Sequence, residues 1–582
     1  MESKTPQFDA LLDEILEKLV PHKRVCKWQG QHKYCEGEFN ITKEDIEFLK
    51  MLRVPAPNYC PTCRRIRRFT HLNFFRLFKR KCNAVDHNEM MISILPEECP
   101  FPVYDYKYFV GDDFDPFSFG VKYKKGDSPM ETLLQLRRGF PMPSFLNRDL
   151  LSVNSEYSNS GHDIKNGYYV TSCYHSEDIW YSGFLNKSRN IMDSQIVLDS
   201  ELVYNSVDSE YLYKSSFTYF SSHCIDSMFL FDCRNCQDCF GCVNLRNKRY
   251  CVFNEQFSKE DYESFLSSIK PFSRETISIY EEKFWELVKK LPMNGSRNSN
   301  SINSYGINLK NSKDLYDVFD SKNAENIRHA EGPIGNKDSM DFLYSGGNSS
   351  RVYGTINIGS HSNEVRFSVS SKTCTNCEFI FNSKNLNNCF MCFGLQNKSY
   401  CILNNQYSPD EYYKIIDEIK SEMLERGEYA DGLGMEFSAQ AYNFSVGQFA
   451  FPLDDKEIEK FGGFVAKEPK TNAEGIEIIS KDKLPKTIKE VTDEILNKAI
   501  ECEITGKPFR IIASELEFYK RMDIPLPTIH PTVRMENLFK VRPIGKKYSA
   551  ICSKCKKEIE TLFDPKDGFN LYCEDCYKQE VI

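Results

Sequence analysis

Residues 239–257, CFGCVNLRNKRYCVFNEQF, return 150 positions later at 389–407 as CFMCFGLQNKSYCILNNQY, identical at 10 of 19 places. Serine follows each copy (Ser258, Ser408), with an acidic residue three places on (Asp261, Glu411). That pattern caps a helix N-terminus, so each copy closes a β-rich block where a helix begins. Reading back from the second copy, a short unit restarts at Asn311, Asn323, Asn336, Asn348, His361, Thr373 and Asn385. Each restart is a small polar residue with an apolar one three or four places later. Before the first copy the unit restarts at Ser176, Ser188, Ser200, Ser215, Ser227 and Cys239. The spacing is 12 or 13, with a single gap of 15. A fixed short period without a 3.6-residue apolar stripe predicts a β-solenoid, in which each strand-and-turn unit buries its apolar side against the next coil. Two units per turn would give a turn of about 24 residues. The expected fold is mainly β with α+β ends: two duplicated β-solenoid lobes, roughly 163–254 and 311–404, flanked by zinc-ribbon modules and joined by short helices.

Cysteine is the second constraint. The chain holds 23, an odd number, several of them in C-x2-C pairs. In a reducing compartment such pairs point to metal rather than to disulfides. The opening MESKTPQFDALLDEIL has no basic-then-apolar signal, and no apolar run is long enough to span a bilayer, so a cytoplasmic protein outside the membrane is expected. Lys plus Arg total 75 against 83 acids, a net charge of -8, so a case for nucleic acid has to be local.

Residues 6–20 read as an amphipathic helix capped by Thr5, with Phe8, Leu11, Leu12, Ile15 and Leu19 on one face. Then come His32-x2-Cys35 and Cys60-Pro-Thr-Cys63, which on separate hairpins supply the four N or S ligands of a tetrahedral Zn2+. Cys26 competes with His32 for the fourth position, and buried structural thiols are the plainer alternative. Residues 64–81, RRIRRFTHLNFFRLFKRK, hold Arg64, Arg65, Arg67, Arg68, Arg76, Lys79, Arg80 and Lys81 with Phe69, Phe74, Phe75 and Phe78 and no acid. Basic charge neutralises phosphates and aromatics stack on unpaired bases, which makes this the best nucleic-acid candidate. The competing reading is a solvated face with its phenylalanines inward. The aromatic and acidic segment that follows, to residue 149, reads as a polar lid for a solenoid end.

Cys233, Cys236, Cys239 and Cys242 form a C-x2-C-x2-C-x2-C run that invites an iron–sulfur reading. At the 150-residue offset only Cys389 and Cys392 persist, while Ser383 and Leu386 stand opposite Cys233 and Cys236, and Cys239 occupies the register of Ser215 and Ser227. Buried thiols stacked along the coil fit better. Cys552-x2-Cys555 followed by Cys573-x2-Cys576 has the spacing of a four-thiolate zinc ribbon, so two Zn2+ sites are expected in all. The two ends are also related: at an offset of 470, Phe39, Lys50, Pro55, Pro57, Arg64 and Cys82 meet Phe509, Lys520, Pro525, Pro527, Arg534 and Cys552. In that register His32, Cys35, Cys60 and Cys63 face Cys502, Thr505, His530 and Val533, while Cys555 faces Val85. Each end therefore retains the shell of the site that it lost.

CPTCRRIRR, KRKC, CFGCVNLRNKRYCVFNEQFSKEDY, CILNNQYSPDEYY, FYKRMDIPLP and YCEDCYKQEV together make the chain similar, over nearly all its length, to a family of large uncharacterised cysteine-rich zinc-ribbon proteins from small-genome bacteria. The resemblance implies a fold and zinc, and little about activity. Some members carry a family III CoA-transferase label. Such a transferase needs a phosphate-cradling glycine loop on a βαβ pattern, and the sequence has neither. Acids on the second lobe (Asp314, Asp317, Asp320) raise the alternative of a carbohydrate-active enzyme on a β-helix. The reading preferred from sequence is a non-enzymatic zinc-binding scaffold contacting protein or RNA, with no catalytic residue assigned. Its expected parts are 1–149, a zinc-knuckle module and cap; 150–257, lobe 1; 258–300, a helical connector; 301–407, lobe 2; 408–500, helix and linker; and 501–582, the C-terminal zinc module.

Overall fold

The computed structural model describes residues 3–74, 76–146, 151–469 and 473–581. Phe75 of the basic stretch and the expected junction at 149/150 lie outside them. The fold is mostly β with helices, and two 11-stranded sheets dominate it. The first contains Tyr174–Trp180, Arg189–Met192, Glu201–Tyr204 and Tyr213–Tyr219, all parallel, with Ile179 opposite Ile191, Ile191 opposite Val203 and Val203 opposite Ser215. The second repeats the plan, with Val352, Val365, Cys377, Cys389 and Cys401 in one column.

Because Ile179, Ile191 and Val203 stack directly, one restart unit completes a rung, where the sequence predicts two units per turn. The backbone explains the tighter step. A left-handed residue recurs at every third position, as at Asp163, Asn166, Tyr169, Ser172, His175, Asp178 and Tyr181, so the chain turns four corners per rung. Asn, Asp and His recur at these corners because their short polar side chains tolerate positive φ. The residue after each corner points inward. In the first sheet these residues largely alternate serine with Ile, Val, Leu or Cys, and both interiors are buried. Most inward serines donate to the carbonyl two places back and accept from the N–H twelve places on, and Ser188 adds a third bond: its Oγ donates to Asn186 O at 3.0 Å and Val197 O at 3.2 Å, and accepts from Ser200 N–H at 3.3 Å.

Cysteine uses the same corner. Cys233 Sγ donates to Phe231 O at 3.6 Å and Cys242 O at 3.4 Å. The x2 spacing of Cys233, Cys236, Cys239 and Cys242 is therefore corner spacing, and all four are at most 1 % exposed. Each sheet ends in a short antiparallel return, Glu255–Gln256 and Asn405–Gln406. Helices Lys259–Ile269 and Pro409–Glu425 follow, capped by Ser258 and Ser408. The end of the second sheet is covered by the aromatic segment, where Val121 N–H donates to Leu403 O at 3.0 Å and Asn404 Nδ2 to Pro116 O at 2.8 Å.

The chain forms two compact units. One joins Met1–Asn73 and Leu77–Leu146 to Arg297–Lys467; the other joins Phe74–Arg76 and Asn147–Ser296 to Glu468–Ile582. Each end of the chain therefore packs with the sheet more distant from it in sequence. Among the described residues no helix is long and apolar enough to cross a membrane.

Candidate metal centres

The N-terminal centre is built by a hairpin and a helix. Strands His22–Val25 and Glu38–Ile41 pair antiparallel, and the loop between them carries Cys26 and Cys35. Cys60 caps the helix Pro61–Phe69, whose Pro61 suits a first turn without a hydrogen-bonded N–H, and Cys63 follows inside that turn. The sulfurs of Cys26, Cys35, Cys60 and Cys63 lie within 4.8 Å of one another. Backbone N–H groups point at them: Cys60 N–H to Cys26 at 3.3 Å and Gly37 N–H to Cys35 at 3.4 Å. The neighbouring Cys60 and Cys63 thiols hold Cys26 far below the ordinary thiol range, and the same neighbourhood pushes Cys60 up to about 12. Four thiols this close support one thiolate, and a Zn2+ ion supplies the charge that lets all four ionise.

Of the two candidates for the fourth ligand, Cys26 joins the group and His32 stands beside it. His32 Nε2 is 3.2 Å from Cys63 Sγ, and the ring is wedged against Trp28 and Phe461. Burial pulls its pKa down, so the neutral ring can donate one N–H to a Cys63 thiolate.

The C-terminal centre has the same build. Cys552 and Cys555 sit between strands Tyr548–Ile551 and Glu558–Thr561; Cys573 and Cys576 open the helix Glu574–Val581. Their sulfurs again lie within 4.8 Å of one another. Burial pushes Cys552 up, but the amides of Cys555, Cys573 and Lys554 outweigh it and bring the thiol down to about 6. Both quartets fit Zn2+, giving two sites. In each, the second cysteine pair starts a helix where the spacing predicts a second hairpin, so neither centre is built as a ribbon. The family model for a probable treble clef zinc finger matches residues 546–581. A comparison of the chain with curated proteins gives no match.

Two further places keep the geometry of these centres with a single thiol each. At the N-terminal centre the Cys60 N–H donates to Cys26 Sγ at 3.3 Å, and at the C-terminal one the Cys573 N–H donates to Cys552 at 3.3 Å. The His530 N–H makes the same bond to Cys502, and the Asp105 N–H to Cys82, both at 3.3 Å. Cys26, not His32, is therefore the counterpart of Cys502; the loop from Cys26 to Cys35 is longer than that from Cys502 to Thr505. At these two places Thr505, His530 and Val533, or Val85, Asp105 and Tyr108, stand where ligands would be. The repeated Cys-to-N-cap bond is the signal that identifies Cys26, and a gap in the 470-residue register conceals it in the sequence.

The basic stretch does not present an open cationic face. Arg64 Nε pairs with Asp341 at 2.7 Å, Arg65 Nη2 with Asp317 at 3.1 Å and Arg68 Nη1 with Asp341 at 3.1 Å, and Arg65 Nε also binds Glu331. Arg67 lies over the Tyr59 ring and donates to Asp431 O. Arg76 pairs with Glu536 at 2.7 Å and Arg80 is buried, donating to Pro96 O and Asn83. Lys79 and Lys81 remain exposed. The charge run reads as surface because the acids that cover Arg64, Arg65 and Arg68 belong to the second sheet, far along the chain. Of the acids weighed for glycosidic chemistry, Asp317 is held by Arg65 and by His329 Nδ1 at 2.9 Å, while Asp314 and Asp320 accept from Asn303 and Asn308.

Proposed function

We propose that this chain is a cytoplasmic, non-enzymatic scaffold: two β-solenoid lobes, each stiffened by a terminal zinc module and offering its outer faces to a partner. The observation that carries this reading is the ligand set. Four thiolates fill a tetrahedral Zn2+ and leave no position for water or substrate, which is the signature of a structural rather than a catalytic ion. Parallel rungs at a constant step, with the inward corners filled by Ser, Cys and aliphatic residues, support the solenoid description. The arginines that recommended RNA are spent on buried ion pairs, which favours a protein partner. The solenoid acids are likewise engaged, which speaks against the carbohydrate-enzyme alternative.

X-ray absorption at the zinc edge tests the ligand set. Two zinc per chain, each with four sulfurs, are expected; an oxygen or nitrogen neighbour at either ion overturns the structural assignment. Tight RNA binding that falls steeply with salt would reverse the preference for a protein partner.

A further inference from the structure

Each unit lays a helix against its sheet, and the two helices are counterparts. Pro61–Phe69 follows Cys60 and Pro531–Val541 follows His530, so Arg64 matches Arg534, Arg65 matches Met535 and Arg68 matches Leu538. The corners on which they rest also match. Counted back along the left-handed corners from Leu403 and Phe253, Asp341 falls opposite Asp193, His329 opposite Tyr181 and Asp317 opposite Tyr169. Glu331, two places after His329, falls opposite Gly183.

The ion pairs therefore divide into two kinds. Arg64 with Asp341, at 2.7 Å, is repeated as Arg534 with Asp193, at 3.3 Å. That pair would form whichever helix met whichever sheet. Arg65 and Arg68 with Asp317 and Glu331 exist in one unit alone, and the other unit has Met535 and Leu538, 1 % and 3 % exposed, in place of the arginines.

We propose that Arg65, Arg68, Asp317 and Glu331 are a recognition code that directs the N-terminal array to the second lobe and bars it from the first. Against the first lobe, Arg65 would be buried facing Tyr169 and Gly183 with no carboxylate, and Arg68 would keep only Asp193, the counterpart of Asp341, already paired with the first-turn arginine. Against the second, Met535 and Leu538 would leave Glu331 buried without a cation and Asp317 with His329 as its one remaining basic neighbour. An uncompensated buried charge costs far more than a well-formed pair contributes, so the code acts by penalising the wrong partner. The right partner gains little from it, because a buried ion pair roughly balances its own desolvation. The shared Arg64–Asp341 type of contact sets the register in both units.

The test uses the full chain, unfolded in denaturant with zinc and reductant present and then refolded. Wild type is expected to return as one species by size exclusion and limited proteolysis. The erased variant R65M/R68L/D317N/E331Q should still unfold cooperatively but refold with roughly threefold more misassembled or chain-exchanged material, since neutral partners no longer discriminate. R65M/R68L alone should be less stable than the fourfold variant, because it strands Glu331 and leaves Asp317 only His329. R65K/R68K keeps the charges and should refold like wild type. The proposal is overturned if the erased variant returns as the single wild-type species, or if R65M/R68L is as stable as the fourfold variant. Should the erased variant fail to fold, R65M/E331Q is compared with R65M alone: the single variant, which leaves Glu331 only Arg68 at 3.7 Å, is expected to be the less stable, and equal stability overturns the proposal.

Discussion

The helices Pro61–Phe69 and Pro531–Val541 begin in the same way and are held in different ways. In both, an N-cap amide donates to a cysteine sulfur at 3.3 Å, and both are preceded by a ten-residue helix ending in a left-handed residue, Arg53 or Asp523. The first has four thiols at its start and three arginines paired with acids. The second has one cysteine, His530 bonded to Thr532, and one arginine paired with acids, Arg534, followed by Met535 and Leu538. The difference shows that ion and charge network are replaceable by apolar packing once the backbone frame exists. It also supports a structural role for the metal, since a reacting centre could not be exchanged for Val533.

The comparison breaks most sharply at the thiols. Cys576→Ser should lower bound zinc from two per chain to one and unfold 546–581, because the affinity of such a site is on the order of 10 to 16 kcal/mol. His530→Ala at the counterpart with one thiol should leave zinc content unchanged; metal analysis with proteolysis of the C-terminal module reads both. In the other direction, T505C/H530C/V533C completes a quartet with Cys502 and should raise the stoichiometry from two zinc to three. No third zinc would mean that the frame has drifted from ligand geometry.

Acid–base behaviour separates the units next. Burial pushes Glu515 up to about 7 and Asp193 up to about 6, beside a single arginine. Glu515 in the unfolded chain titrates near its ordinary value of 4.5. The folded state therefore holds the proton more tightly, and the stability this gives is complete below the unfolded value and lost as pH rises from there to about 7. The loss is up to about 3 kcal/mol. Burial also pushes on Asp341, but Arg64 and Arg68 outweigh it and hold this carboxyl below its usual range. Its contribution has the opposite sign and disappears only as pH falls below the ordinary carboxylate range. Denaturant unfolding at pH 5 and pH 8 should show the Glu515 loss, and Glu515→Gln should flatten it. The smallest contrast is at the preceding helices. Thr42 Oγ1 accepts from Asp45 N–H at 3.2 Å, and at that position the other unit has Ile512, which offers no side-chain oxygen. Thr42→Ala should cost about 1 kcal/mol in thermal unfolding.

Much of this frame is legible in the sequence. The regular restarts locate the rungs, Ser258 and Ser408 mark where each block ends, and the C-terminal C-x2-C pairs give their own quartet. The pitch is not legible from the restarts, because an even spacing is compatible with one unit per turn or with two. The finer signal is a left-handed corner at every third residue, filled often by Asn, Asp or His but also by Tyr, Phe, Ser and Lys, which blurs it in the sequence. Cys26 stays undecided in the sequence because a longer loop hides its equivalence to Cys502. The burial of Arg65 and Arg68 is out of reach, since nothing near them in sequence supplies the acids that meet them.

The interleaved order of the chain bears on its synthesis. The N-terminal array is complete by Leu146, but the sheet that it packs with belongs to a segment that runs to Lys467. At about 5–20 residues per second, the ribosome leaves Arg64, Arg65 and Arg68 without their acids for tens of seconds. During that interval the nascent chain carries a cationic helix whose carboxylate partners have yet to be made.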